Sequence, residues 1–147
     1  AGATLVSGGR RPPDLDEGLY FEPTIVAGPD QGFDVVRKEM FGPVVSVVKF
    51  SDEAHAIELA NDTRFGLASG VFTKDSARAL RMSRALRAGI VWVNTYRVVS
   101  PMAPFGGYKS SGYGREAGYE AINDYTREKT VWINTSPDPI DDPFRMQ

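Results

Sequence analysis

An α/β fold built from parallel βαβ units is predicted by three observations. Strand-like β-branched runs alternate with helical stretches, the helical stretches are short enough to cross back over a sheet, and one of them carries a clean apolar stripe opposite four arginines. Val44 to Phe50 is the first such run, rich in valine and closed by an aromatic. A helix is expected from Ser51 through Ala54, Ile57 and Ala60 to Asn61-Asp62, with Asp52 and Glu53 placed to interact with the positive end of its dipole. Ser69 to Phe72 reads as a second, short strand.

The next helix is expected over Lys74 to Ala88: Ala79, Met82 and Leu86 recur at helical spacing, and Arg78, Arg81, Arg84 and Arg87 lie largely away from them. Thr73 is the expected N-cap, Asp75 falls in the first turn, and Gly89 stands where a left-handed residue would end the helix. Ile90 to Val93 follows at once as a strand. Thr95 to Gly114 is then a long loop punctuated by Pro and Gly, which Tyr96, Phe105, Tyr108 and Tyr113 mark as ordered. Arg115 to Tyr125 is expected as a short helix and Thr130 to Ile133 as a last strand. Little sequence remains to enclose that strand, so its partner is expected at a sheet edge elsewhere, including one in another subunit.

The 147 residues suit one domain, and 41% apolar content is too high for a disordered chain. Charge is uneven: residues 1–73 carry a net of -5, residues 74–115 a net of +7 and residues 116–147 a net of -4. The overall -2 argues against a nucleic-acid or anionic-membrane partner, and the arginine helix has no interleaved aromatics for base stacking. No apolar run approaches the about 20 residues that span a bilayer, and the first residues lack a basic region and long apolar stretch, so a cytoplasmic setting is expected. The absence of Cys excludes disulfides, thiolate metal sites and a cysteine nucleophile from this stretch. Because the sequence opens without Met, directly on Val6-Ser7-Gly8-Gly9-Arg10, a piece of a longer protein is expected.

Few residues, read singly, point to chemistry. His55 is the single histidine and has Glu58 and Leu59 at i+3 and i+4, so no metal site or histidine triad is expected. Asp52-Glu53 and Asp141-Asp142 are adjacent in sequence, which suits a helix first turn and a solvated tail better than acid–base work. Gly112-Tyr113-Gly114-Arg115-Glu116-Ala117 fits a loosened dinucleotide pattern but follows Lys-Ser-Ser instead of a strand, so the loop is better read as a pocket wall, with Phe105 lining it and Lys109 as a charge partner. Glu39 and Phe41 stand in Lys38-Glu39-Met40-Phe41-Gly42-Pro43 at a strand entrance, where either a ligand contact or ordinary surface and core roles would fit.

Taken together, Glu39-Met40-Phe41-Gly42-Pro43-Val44, Ala60-Asn61-Asp62-Thr63-Arg64-Phe65-Gly66-Leu67-Ala68-Ser69-Gly70-Val71-Phe72-Thr73, Val93-Asn94-Thr95 and Pro104-Phe105-Gly106-Gly107-Tyr108-Lys109-Ser110-Ser111-Gly112-Tyr113-Gly114-Arg115-Glu116 closely resemble the C-terminal part of the NAD(P)-dependent aldehyde dehydrogenase superfamily. The resemblance runs over about residues 6–134 and begins with Gly8-Gly9-Arg10 and Glu22-Pro23-Thr24. It implies that residues 1–127 are a later portion of the catalytic domain, 128–136 an oligomerisation strand and 137–147 an acidic tail containing Pro. It further implies a homo-oligomer, dimer or tetramer, with NAD or NADP as cofactor and an aldehyde as substrate. Glu39 matches the glutamate that binds the nicotinamide ribose and Phe41 the aromatic beside the nicotinamide; Asn94, Thr95, Arg97, Val99 and Phe105 match the aldehyde tunnel or its support.

The implied chemistry is attack of a cysteine thiolate on the aldehyde, hydride transfer to the nicotinamide, and hydrolysis of the thioester by a glutamate-activated water. In the family, the nucleophilic Cys, the general base, the oxyanion-stabilising Asn and the dinucleotide domain all lie before the Glu-x-Phe-Gly-Pro segment. None is in this sequence, so the stretch is expected to be inactive alone. The competing class is a non-catalytic assembly or partner-binding module that uses the Thr130 to Ile133 strand for β-augmentation.

Overall fold

Two small sheets with parallel pairing carry the chain in a computed structural model that describes residues 2–28, 30–138 and 144. The first has the order β1-β2-β3, with β1 (Thr4–Ser7) antiparallel to β2 (Thr24–Ala27) and β2 parallel to β3 (Val44–Val47). The second pairs β4 (Ala68–Val71) with β5 (Ile90–Val93) in parallel. Helix α1 (Asp34–Arg37) lies between β2 and β3, α2 (Glu53–Asn61) between β3 and β4, and α3 (Ser76–Ala85) between β4 and β5. The α/β class holds, and β4-α3-β5 is a complete βαβ unit.

Strand lengths follow the partner as well as the side chains. β3 stops at Val47 because its partner β2 stops at Ala27, so Val48 to Phe50 leave the ladder although they continue the apolar run. β4 starts one residue early, at Ala68, because the ladder places Ala68 opposite Ile90. β1 and β2 were not expected from the sequence. The β-branched Thr24-Ile25-Val26, bounded by Pro23 and Gly28, was their signal.

The arginine helix keeps its predicted faces, with Leu86 buried and Met82 half-buried beneath the exposed Arg78, Arg81 and Arg84. Its ends differ from expectation. Asp75, not Thr73, is the N-cap: its carboxylate accepts from the Ala77 and Arg78 N–H groups, while the Thr73 hydroxyl accepts from the Asp75 N–H one turn earlier. The helix stops at Ala85 with an extended Leu86, so Gly89 is not a left-handed cap. Gly89 is needed for space instead, because a Cβ there would collide with the Gly106 carbonyl oxygen. Asn61 completes the end of this helix, donating to the Ala85 carbonyl (2.9 Å) and accepting from the Arg87 N–H (2.8 Å).

Glu53 ties α2 to α3. Its carboxylate accepts from Arg81 Nε and Nη2, both at 2.9 Å, and from Arg78 Nε at 3.0 Å. The two guanidiniums, Arg81 first, hold the Glu53 pKa down to about 2, and the same pairing raises that of Arg81. His55 serves the helix start, its Nδ1 receiving the Ser51 N–H at 3.2 Å while its own N–H caps onto Asp52.

Arg115 to Tyr125 is not one helix. Ala117 and Gly118 both have positive φ, which breaks any helix there, and order resumes as a 3-10 turn, Tyr119–Ala121, continuing into α4 (Ile122–Tyr125). Thr130 to Ile133 has no ladder partner among the described residues and forms no strand in this chain, leaving Trp132 91% exposed. Asp141-Asp142 and most of the acidic tail lie outside the described residues.

The core is small. Only Val71, Leu86 and Thr24 fall in the buried class outside glycine among the described residues. The chain exposes 12438 Å², whereas a compact monomer of 16.1 kDa exposes about 7400 Å². Part of the excess surrounds a cleft of about 720 Å³ between the two sheets, bordered by Ser46 and Val48 on one side, Ser69 to Phe72 on the other, and α2 and α3 below. β3 and β4 are edge strands of their sheets, so the crossover through α2 does not join them in one ladder. Ser69, on the cleft wall, has a buried Oγ without a hydrogen-bond partner.

Candidate functional site

Ligands of open α/β sheets bind beyond the carboxyl ends of parallel strands, where the chain leaves the ladder. Here that place is made by Phe72 and Thr73 after β4 and by Asn94 to Val99 after β5. Asn94 takes a left-handed conformation (φ 53°), which Asn tolerates. Its side chain reaches back to Thr73, accepting from the Thr73 N–H and donating to the Thr73 carbonyl, both at 2.8 Å. These bonds lock the exits of β4 and β5 together. Asn94 is therefore a support of the strand exits, its side-chain amide making one acceptor and one donor bond to the Thr73 backbone.

Thr95, Arg97 and Val99 follow on an exposed turn. Arg97 also has positive φ (58°), an unfavourable conformation for a residue of its kind. Phe105, half-buried, is fixed from the far side by a two-way backbone bridge with Glu116 (2.6 and 2.7 Å). The segment from Asn94 to Phe105, here the wall, carries Asn94, Thr95, Arg97, Val99 and Phe105 in chain order, and none of the five borders the cleft between the sheets.

The glycine-rich stretch packs on the α2–β4 turn. Gly66 is the hub: its carbonyl accepts from the Gly89 (3.0 Å) and Tyr108 (2.8 Å) N–H groups, and its own N–H donates to Ser111 Oγ (2.9 Å). Lys109, expected as a charge partner, instead donates to the Asn61 and Thr63 carbonyls at 2.9 and 3.0 Å, tying the glycine-rich stretch to the end of α2 and the turn after it. Arg115 holds the Gly107 carbonyl (3.0 Å) and stacks over Tyr108, 5.4 Å from the ring centre. Sequence reasoning missed Asn61 and Gly66 as supports of the end of α3 and of the glycine-rich stretch, since each acts through groups distant in sequence, and it missed Trp92, whose indole N–H donates to the Val98 carbonyl at 2.8 Å.

Glu39 and Phe41 sit apart from that wall. They lie on a tight turn before β3, closed by bonds from the Gly42 N–H to the Met40 carbonyl (2.6 Å) and from the Val44 N–H to the Gly42 carbonyl (2.8 Å). The Phe41 ring is 96% exposed. Among the described residues the Glu39 carboxylate has no hydrogen-bond or ion-pair partner, so both oxygens are free to accept from a ligand's hydroxyls. No hydrogen bond joins this turn to residues 94–105.

No group of three His, Cys, Asp or Glu side chains placed to hold a metal occurs among the described residues, and none of their helices is long and apolar enough to cross a membrane.

Residues 1–131 match the family model described as the aldehyde dehydrogenase family. Among characterised relatives, (Z)-2-((N-methylformamido)methylene)-5-hydroxybutyrolactone dehydrogenase of Acinetobacter baylyi is 55% identical over 148 residues, 99% of this chain and 30% of that protein. Among solved structures, betaine aldehyde dehydrogenase of Staphylococcus aureus in complex with NAD+ is 45% identical and superposes with a TM-score of 0.88 over 95% of this chain and 28% of its own. The P. syringae indole-3-acetaldehyde dehydrogenase C302A mutant, in complex with NAD+ and IAA, is 45% identical with a TM-score of 0.85, covering 90% of this chain and 27% of its own. This chain spans about 30% of the length of the relatives it matches.

Proposed function

The chain belongs to the aldehyde dehydrogenase family, and from that premise we propose that it is a C-terminal portion of the catalytic domain of a nicotinamide-dependent enzyme that oxidises an aldehyde to its carboxylic acid. The observation that carries this reading is a match over nearly the whole chain to enzymes more than three times its length. The excess exposed surface and the two sheet edges facing one cleft agree with it, since the remaining chain of such an enzyme would cover them.

In the whole enzyme, Glu39 accepts hydrogen bonds from the nicotinamide ribose and Phe41 packs beside the nicotinamide; the unpartnered carboxylate and uncovered ring fit that use. When bound, the cofactor takes the hydride. This chain's part is to hold the ribose still, because small misplacements of a reacting carbon cost on the order of a hundredfold in rate. Asn94 sets the exit of β5, and Thr95, Arg97, Val99 and Phe105 line the aldehyde path. The guanidinium of Arg97 on that path favours a polar or anionic aldehyde. Thr130 to Ile133 joins a neighbouring subunit's sheet edge.

The test compares two proteins: these 147 residues alone, and the same stretch within a chain that supplies the Cys nucleophile and the dinucleotide domain. Each is mixed with NAD or NADP and a panel of aldehydes, and nicotinamide reduction is followed. Reduction only by the longer protein is expected. Turnover by the short chain, or none by the long one, overturns the reading.

A further inference from the structure

We infer that Trp92 is a positioning residue that sets aldehyde selectivity through the shape of the 94–99 turn. This inference rests on the assignment of that turn to the aldehyde path. Trp92 belongs to β5, where a side chain would ordinarily only pack on the sheet. Here its indole N–H leaves the strand and donates to the carbonyl of Val98 at 2.8 Å, closing a loop six residues wide. Trp92 and Tyr96 also meet in an edge-to-face contact, with ring centres 5.4 Å apart and planes at 72°. The turn contains two left-handed residues, Asn94 at φ 53° and Arg97 at φ 58°, and an unbraced chain would relax out of the second.

The braces divide the labour. Asn94 fixes the root of the turn to Thr73, and at the tip, which carries Arg97 and Val99, the one hydrogen bond and one ring contact among the described residues both come from Trp92. The carbonyl Trp92 engages belongs to the residue directly between Arg97 and Val99. Moving that peptide plane redirects both side chains at once, without disturbing the β4–β5 ladder or the Glu39 turn. The consequence is a change in which aldehyde fits, with the hydride-transfer step spared.

The experiment uses the whole enzyme that carries this stretch. Trp92→Phe keeps a ring against Tyr96 and removes the donor; replacing Trp92 by 3-benzothienylalanine keeps the full bicyclic shape and removes only the N–H. Crystal structures of the parent and both variants are compared over residues 94–99, beside kcat and KM for a series of aldehydes graded in length and charge. The expected result is a displaced or disordered turn confined to residues 95–99, KM raised about fivefold or more for some aldehydes and not others, kcat changed less than threefold, and an unaltered KM for the nicotinamide cofactor. A turn left in place in both variants overturns the brace. A displaced turn with KM ratios that stay fixed across the series overturns the selectivity role. A parent enzyme that oxidises none of the aldehydes overturns the functional reading and the selectivity role with it, while the structural comparison still decides the brace. Should Trp92→Phe not fold, the benzothienyl variant answers the same question.

Discussion

The turn at Glu39–Pro43 and the wall from Asn94 to Phe105 are built on opposite principles. The turn is closed by its own backbone and tied to β2 through the Pro43 carbonyl, which accepts from the Thr24 N–H, while Phe41 is almost fully exposed and Glu39 has no polar partner among the described residues. The wall is cross-braced from elsewhere in the chain, by Thr73 through Asn94, by Trp92 through Val98, and by Glu116 through Phe105. A surface braced before any ligand arrives discriminates by shape, since little ordering remains to be lost on binding. A free carboxylate and ring beside it can bind without first surrendering other contacts. Under the proposed function, the difference separates selection of the aldehyde from grip on the cofactor.

Breaking the wall's support should have the largest effect. Gly89→Ala drives a Cβ into the Gly106 carbonyl, backbone against backbone, and should cost about 3 kcal/mol or more. Gly42→Ala, in the free turn, meets nothing within 4 Å and should stay within about 0.5 kcal/mol. Denaturant melts of both variants check this pair; equal losses would erase the contrast between the regions.

Next comes the proposed cofactor grip. Glu39→Gln in the whole enzyme should lower kcat by about tenfold to a hundredfold while leaving the melting temperature in place, because the carboxylate has no polar partner among the described residues to lose. Steady-state kinetics beside calorimetry separates the two, and a drop in melting temperature would show that Glu39 is structural.

Asn94→Ala removes two solvent-accessible hydrogen bonds to Thr73 and should cost about 1–2 kcal/mol. The aldehyde KM should move and the cofactor KM should not. Movement of the cofactor KM alone would merge the two regions.

The smallest effect is at Glu53, whose bonds join α2 to α3 and touch neither region. Its folded pKa, lowered from 4.5 to about 2, means that its ion pairs stabilise the fold fully above about pH 4.5 and are lost as pH falls through about 2. Glu53→Gln should therefore lower the melting temperature slightly at neutral pH, and the gap from the parent should close toward pH 2. A gap independent of pH would rule out the carboxylate as its source.

How far the sequence could be read depended on how local each cause was. Ile90–Val93 and the faces of α3 were legible because apolar spacing fixes them within a few residues. Asp75 displaced Thr73 as N-cap by a choice between two competent oxygens two residues apart, which only backbone geometry resolves. Gly89 had the right residue and the wrong reason: the constraint is the backbone of Gly106, seventeen positions away. Among site residues, the wall's order could be read through resemblance, whereas Lys109 turning to the carbonyls of Asn61 and Thr63 could not, since a lysine's partner is chosen in space.

The sequence by itself determined the α/β class, the βαβ unit and the family, because periodicity and ordered motifs are properties of neighbours along the chain. Only the tertiary structure decided that the strands divide into two sheets around an open cleft, that Gly66 is the hub of the glycine-rich loop, and that Trp92 reaches Val98. Each of these depends on backbone groups from separate segments meeting in space, and a backbone N–H or carbonyl is the same group at almost every position of a sequence.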